Sequence, residues 1–238
     1  MNEDLQEALR SRISGEVRFD RASRLMYSTD ASIYEIEPIG VVLPRTHEDV
    51  FAVMEIARDF KVPVLPRGAG TSLAGQTVGE AVVIDMSKYL NRVLEVNKEE
   101  RWALVEPGVV QEQFNLHLRP LGFLFGPDTA TANRATIGGM IGNNSAGSHS
   151  ILYGKTIDHV LETHVALASG ERRVFRQIPF EQAAATPGLE SRIAAIAQSN
   201  REEIERRSLF CTQIEWPAKF HFDALLTCNL LARWRPHT

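Results

Sequence analysis

The chain has 238 residues, 44% of them hydrophobic and 24% charged, which is enough for one large globular domain or two small ones. A formal net charge of −4 without a clustered basic face excludes a nucleic-acid partner, whose phosphates need such a face. No sustained apolar run and no charged, apolar, small-residue leader opens the sequence, so it reads as a cytoplasmic protein, at most peripheral to the cytoplasmic face of a membrane. The two thiols, Cys211 and Cys228, make neither a disulfide framework nor a C-x-x-C site.

In chain order, residues 2–13 carry a mixed-charge helical pattern that ends at Ser14-Gly15. From there to Pro38 no clean period is present, and loop with short helical turns is expected. Val41-Val42-Leu43-Pro44 reads as a short buried strand. Thr46 follows in an N-cap position with Glu48 and Asp49 in the first turn, and Val50, Val53, Met54, Ile56 and Ala57 form the apolar face of a helix ending at Phe60. Lys61 to Leu65 and Ala81 to Met86 read as two further strands, completing a βαβ unit. Val93 to Val96 and Trp102 to Val109 flank the polar run Asn97 to Arg101 as a hairpin. A helix over residues 111–121 closes at Gly122, and a second hairpin spans residues 162–174 and turns at Ala168-Ser169-Gly170.

Residues 189–207 read as one helix, with Ile193, Ile196, Ala197 and Ile204 at helical spacing. After Arg207 no periodic element is legible. The fold class is α+β: a small parallel βαβ subdomain leading into an antiparallel α+β subdomain. Residues 1–36 form an N-terminal helical and loop extension, 37–178 the main domain, 179–207 a helical segment and 208–238 an atypical tail.

The segment between the two strands of the βαβ unit, Pro66-Arg67-Gly68-Ala69-Gly70-Thr71-Ser72-Leu73-Ala74-Gly75-Gln76, carries the chemistry. Small residues let consecutive N–H groups converge on an anion such as a diphosphate. It is not a Rossmann fingerprint: Gly68, Gly70 and Gly75 are spaced G-x-G-x-x-x-x-G, with strand rather than helix following. Gly154-Lys155-Thr156 is not a Walker A end either, because His149 stands where that motif needs glycine. A second small-residue run, Ala135 to Gly147, offers Gly138 and Gly139 for close approach to a flat ring, with Asn143, Asn144 and Ser145 as neutral donors and acceptors. Close packing of a small-residue helix on a sheet would select the same glycines. His149, His159 and His164 have no metal-ligand spacing, and no metal is expected. Asp30, Glu106 and Asp128 are candidate polar anchors to which no catalytic role is assigned.

The glycine loop, the upstream block Tyr27-Ser28-Thr29-Asp30-Ala31-Ser32-Ile33-Tyr34 and the downstream blocks Pro127-Asp128-Thr129-Ala130 and Asn143-Asn144-Ser145-Ala146-Gly147 resemble, in order and spacing, the FAD-linked oxidases of the vanillyl-alcohol oxidase and p-cresol methylhydroxylase type. The resemblance covers roughly residues 20–175, and within the family it is nearest to the FAD-dependent dehydrogenases of 2-hydroxy acids such as glycolate, D-lactate and D-2-hydroxyglutarate. It implies a p-cresol methylhydroxylase-type FAD-binding domain in which Arg67, Gly68, Ala69, Gly70, Thr71, Ser72, Gln76, Pro127, Asp128, Thr129, Thr136, Gly138, Gly139, Asn143, Ser145 and Gly147 hold the cofactor.

It also implies hydride transfer from the α-carbon of a 2-hydroxy acid to the flavin, leaving a 2-oxo acid, with electrons passed to an unidentified acceptor. Family members that attach FAD covalently use a His in this loop, or a His or Cys elsewhere near the ring. Thr71 stands in the loop here and no Cys occurs in residues 1–210, so dissociable FAD is expected. The family's G-T-L-G-type strand, its carboxylate-binding arginine and its metal-binding histidines have no counterpart in the sequence, so the resemblance assigns no catalytic residue. Three readings stay open: a truncated or frameshifted dehydrogenase that is inactive by itself, a non-catalytic FAD-binding subunit that borrows a substrate domain from a partner chain, and a reductase resembling the UDP-N-acetylmuramate reductases. The character of residues 27–34 argues against the third.

Overall fold

The structure is a computed structural model that describes residues 2–208, 226–233, 235 and 236. Two compact units are present, one of Met1–Phe175 with Phe222–Thr238 and the other of Arg176–His221.

The first unit begins with helix α1 (Asn2–Arg12), whose Leu5 and Leu9 are fully buried in one core with Val50, Val53 and Ile84. Strand β1 (Glu16–Arg18) lies antiparallel to β2 (Gly40–Leu43), and helix α2 (Arg21–Met26) starts where Asp20 accepts a hydrogen bond from Ser23 N at 2.9 Å. Three residues with no apolar alternation are too few to announce a strand, which is why β1 is absent from the sequence reading.

Helix α3 (His47–Phe60) has the expected N-cap: Thr46 Oγ1 accepts from Asp49 N at 3.1 Å, and the Asp49 carboxylate reaches back to Thr46 N at 3.2 Å. Strands β3 (Val64–Arg67) and β4 (Val82–Asp85) complete a sheet of order β1-β2-β4-β3, in which β2 and β3 both run parallel to β4. The βαβ crossover therefore leaves a slot that β4, after the glycine loop, returns to fill.

The second sheet contains the hairpin of β5 (Val93–Asn97) and β6 (Trp102–Val105), followed by helix α4 (Gln111–Leu118) and a 3-10 turn (Arg119–Leu121) that closes at Gly122 with φ 78°. Proline at position 120 lacks the N–H that an α-helix would use, which explains the tightening. Beyond β7 (Phe123–Leu124) come two short helices, α5 (Ile137–Gly142) and α6 (Ser150–Tyr153), then β8 (Val160–Ala166) and β9 (Arg172–Arg176). A separate core of Val105, Phe114, Phe125, Ile137 and Met140 lies under this half.

Residues 226–233 correct the expectation that nothing after Arg207 forms a regular element. They are strand β10 (Leu226–Arg233), antiparallel to both β6 and β8 in the order β5-β6-β10-β8-β9, and β11 (Arg235–Pro236) pairs with β7. A strand with a partner on each edge has both sides of its backbone paired in the ladder, a pairing with distant residues that no local pattern announces. The readings placed on residues 209–225, including Cys211, fall outside the described residues.

In the second unit, α7 (Phe180–Ala185) precedes α8 (Leu189–Ser199) and α9 (Arg201–Ser208). The single helix expected over residues 189–207 is thus two, broken at Asn200, whose φ −110° and ψ 15° leave the helical region. Its side chain donates to Ile196 O at 2.8 Å, and this local bond competes with continuation of the helix. Among the described residues no helix is long and apolar enough to cross a membrane.

Candidate functional site

Where the glycine loop leaves β3, the carbonyls of Arg67 and Gly70 accept hydrogen bonds within the protein, whereas the N–H groups of residues 68–72 do not donate to any of the described residues. Met86 N donates to Arg67 O and Ala31 N to Gly70 O, both at 3.1 Å. Among the described residues, the backbone N–H groups of Gly68, Ala69, Gly70, Thr71 and Ser72 donate to no protein acceptor, and the hydroxyls of Thr71 and Ser72 are equally without partners. Four of these five residues are half-buried. Partly exposed N–H groups that take no protein acceptor are free to donate to solvent or to a ligand. Gln76 turns inward on the loop, its side-chain oxygen accepting from Ala74 N at 3.2 Å.

Arg67 does something different from its neighbours. Its Nη1 donates to Tyr27 O at 3.1 Å and Thr77 O at 3.0 Å, and its Nη2 donates to Thr29 O at 2.7 Å. Burial above all pulls its guanidinium below the ordinary value, against Tyr27, Asp30 and Asp85, which favour the charge. The Tyr27 hydroxyl donates to Asp85 Oδ2 at 2.5 Å, and Asp85 also accepts from Ser87. Burial first, and then this bond to a carboxylate, raise the Tyr27 phenol well above its usual range. Asp30 accepts from Thr77 Oγ1 at 2.9 Å and Ser32 N at 2.8 Å, so block 27–34 is sewn onto the loop from both ends. Burial works to raise the Asp30 carboxyl, but these bonds outweigh it and hold it low. The Tyr27–Asp85 pair was not legible in the sequence, where the two residues are far apart.

The downstream blocks meet the loop at one close approach. A Cβ on Gly68 would lie 2.2 Å from Thr136 Oγ1, so only glycine lets the two segments touch. Thr136 is the N-cap of α5, with Oγ1 accepting from Gly139 N at 3.3 Å, and Gly138 N donates to Pro107 O at 2.8 Å. The N–H groups of Gly138 and Gly139 are thus spent inside the protein, and the exposed residues of this stretch are Gly139, Gly142, Asn143 and Ala146. The Asn143 side chain itself donates to Ser145 Oγ at 3.2 Å.

Pro127, Asp128 and Thr129 are placed by Gln111, a residue the sequence reading passed over. Fully buried at the start of α4, its amide donates to Pro127 O and accepts from Thr129 Oγ1 at 2.6 Å. α4 carries glutamines at both 111 and 113, and nothing in the sequence distinguishes the buried one from the exposed one. Asp128 accepts from Ser148 Oγ at 3.1 Å, from His149 N at 3.2 Å and from the His149 ring. Burial opposes ionisation of Asp128, yet the bonds from His149 and Ser148 prevail and its carboxyl sits below the ordinary value. A Cβ on Gly147 would fall 2.0 Å from Asp128 O, so the two ends of this block are in backbone contact.

The remaining singled-out residues lie in the following surroundings. Glu106 is fully buried, accepting from Arg92 N at 2.8 Å and Arg92 Nη2 at 3.0 Å, with His47 Nε2 at 3.6 Å. His159 donates to Tyr153 O at 2.7 Å with its ring edge-on to Phe125, and His164 pairs with Glu162 at 2.7 Å. Lys155 is exposed.

Residues 38–176 match the FAD binding domain family, and the chain belongs to that family. The cofactor class expected from the motifs is therefore FAD. Over 186 residues the chain is 42% identical to the D-2-hydroxyglutarate dehydrogenase of Pantoea ananatis, a match covering 76% of this chain and 18% of that protein. To the glycolate oxidase subunit GlcD of Bacillus subtilis it is 35% identical over 175 residues, covering 72% of this chain and 37% of that one. Among solved structures, p-cresol methylhydroxylase with substrate bound superposes with a TM-score of 0.68 at 17% identity, over 98% of this chain and 43% of the other. An alkyldihydroxyacetonephosphate synthase gives 0.72 at 17% identity, over 98% of this chain and 40% of the other. These two likenesses show the fold, the α+β FAD-binding domain of the p-cresol methylhydroxylase type. The chain spans less than a fifth of the dehydrogenase's length and under two fifths of GlcD's.

Proposed function

We propose that this chain is the FAD-binding portion of a cytoplasmic oxidoreductase that converts a 2-hydroxy acid to a 2-oxo acid. The observation that carries the reading is the run of acceptor-free N–H groups over residues 68–72, brought by Gly68 against Thr136 at the head of the second small-residue block. Such a loop matches a diphosphate, which offers several anionic oxygens to converging donors. The residues present fit FAD: the loop would hold the diphosphate, and the segments around Pro127, Thr136, Asn143, Ser145 and Gly147 would supply the walls against the rest of the cofactor. When bound, FAD accepts the two electrons and hydride of a substrate C–H bond.

What the chain's own residues do is bind and exclude water. The loop N–H groups replace the hydration of the phosphates, Gln111 fixes the turn at Pro127, and Thr136 orients the start of α5. The link to FAD is non-covalent, because Thr71 cannot form the bond a histidine would. The 2-hydroxy-acid substrate class is favoured by the identity to D-2-hydroxyglutarate dehydrogenase and GlcD. Because the match covers only part of each, turnover belongs to a longer assembly in which further polypeptide, in the same or a partner chain, binds the substrate carboxylate. Equilibrium dialysis of the 238-residue chain against FAD tests the cofactor reading directly, and no retention above a bovine serum albumin control refutes it.

A further inference from the structure

We infer that Arg67 is a positioning residue for the FAD diphosphate, which presents the loop N–H groups by drawing the surrounding carbonyls inward and does not itself touch phosphate. The inference rests on the cofactor reading above. The guanidinium is clamped in place: its carbon lies 5.2 Å from the centre of the Tyr27 ring, and the Cβ direction of Gly70 points at Nη2 from 2.6 Å. It therefore sits beneath Gly70, on the side where a side chain would be, and Gly70 holds φ +65° above it. From that position it gathers three carbonyl oxygens from two segments, Tyr27 and Thr29 upstream and Thr77 at the loop's end. A carbonyl that accepts from a cation below is turned away from the phosphates, whose oxygens it would otherwise repel.

Among the described residues Arg67 makes no ion pair. Asp30 and Asp85, the carboxylates close enough to act on it, are occupied by Thr77, Ser32, Tyr27 and Ser87. Reaching a phosphate would require Arg67 to leave three charge-assisted bonds and the Tyr27 face together. Lysine has the charge but not the planar fork that spans three acceptors.

The test is FAD, ADP and riboflavin binding to the 238-residue chain, measured for the wild type, Arg67→Lys, Arg67→Gln and Gly70→Ala. Lys and Gln are both expected to weaken FAD and ADP at least tenfold, with the far-ultraviolet circular dichroism and the riboflavin affinity unchanged. Gly70→Ala, which keeps the charge but drives a methyl into the guanidinium, should weaken FAD to a similar degree. Wild-type affinity in Arg67→Lys with loss in Arg67→Gln would mean a charge contact to phosphate and overturn the inference. An equal loss for riboflavin would mean a collapsed fold and overturn it too. If both Arg67 variants unfold, Gly70→Ala decides, and its retention of wild-type affinity sinks the idea. A wild-type chain that binds no FAD overturns the cofactor reading and this inference with it, whereas binding retained by all three variants overturns this inference alone.

Discussion

Replacing the buried Asp49 by alanine should destabilise this protein strongly at the head of α3. The carboxylate is 4% exposed and accepts from Ser14 N at 2.8 Å, Ser14 Oγ at 2.9 Å, Arg45 N at 2.8 Å and Thr46 N at 3.2 Å. Truncation orphans two well-made backbone donors at about 1–3 kcal/mol each and removes half of a capping box, so a loss of about 3–5 kcal/mol is expected. For a chain of this size that lowers the thermal midpoint by roughly 6–20 °C. Asp49→Asn is the sharper probe, because its amide would point N–H groups at N–H groups.

Burial acts to raise the Asp49 carboxyl, but the hydrogen bonds from Ser14, Arg45 and Thr46 prevail and its value in the folded protein lies below the ordinary 3.8. With the folded value depressed, the stabilisation is complete above 3.8 and fades as pH falls below it toward the folded value. Urea midpoints of the wild type and Asp49→Asn, measured from pH 7 to pH 3, should differ by a constant amount down to about pH 4 and converge below it. Glu16, Asp30 and Asp128 titrate in both proteins and cancel in the difference. A gap that is small at pH 7, or one that persists unchanged at pH 3, would refute the reasoning.

Further outcomes are expected at the cofactor site. Acid precipitation of the FAD-loaded protein should leave the flavin fluorescence in the supernatant, and fluorescence that migrates with the denatured polypeptide on a gel would show a covalent link. Gly147→Ala drives a methyl into the Asp128 backbone and should weaken FAD by about tenfold or more, since overpacking of this kind costs about 1–3 kcal/mol. Gly142→Ala, with nothing within 4 Å of the new methyl, should leave binding within about twofold, as a helical alanine in open space costs nothing. Comparable losses in the two variants, read by fluorescence titration, would misplace the contact. With glycolate, D-lactate or D-2-hydroxyglutarate and an artificial electron-accepting dye, the 238-residue chain alone should show no substrate-dependent dye reduction; robust turnover would mean that it binds substrate unaided.

Residues near in sequence were enough to determine the local parts. Thr46, Asp49 and the apolar face of α3 are all visible in a short window, and so are the hairpin of β5 and β6 and the left-handed stop at Gly122, because caps, turns and amphipathic faces are short-range physics. The glycine loop and the run at 135–147 were legible for the same reason, since small residues are needed wherever backbones approach closely. Only the tertiary structure decided that β4 lies between β2 and β3 and that Leu226–Arg233 enters between β6 and β8. Strand order depends on which ladders close around a core, and no local pattern encodes it.

The same distinction divides the site. The sequence marks residues 68–72 as a cradle, but it gives Arg67 and the glycines one undifferentiated role. In the fold the Arg67 guanidinium is engaged with the carbonyls of residues 27, 29 and 77, and Gly138 and Gly139 have spent their N–H groups on Pro107 and Thr136. A donor's direction is set by whatever acceptor the packed chain brings to it, and for these residues those acceptors come from other segments.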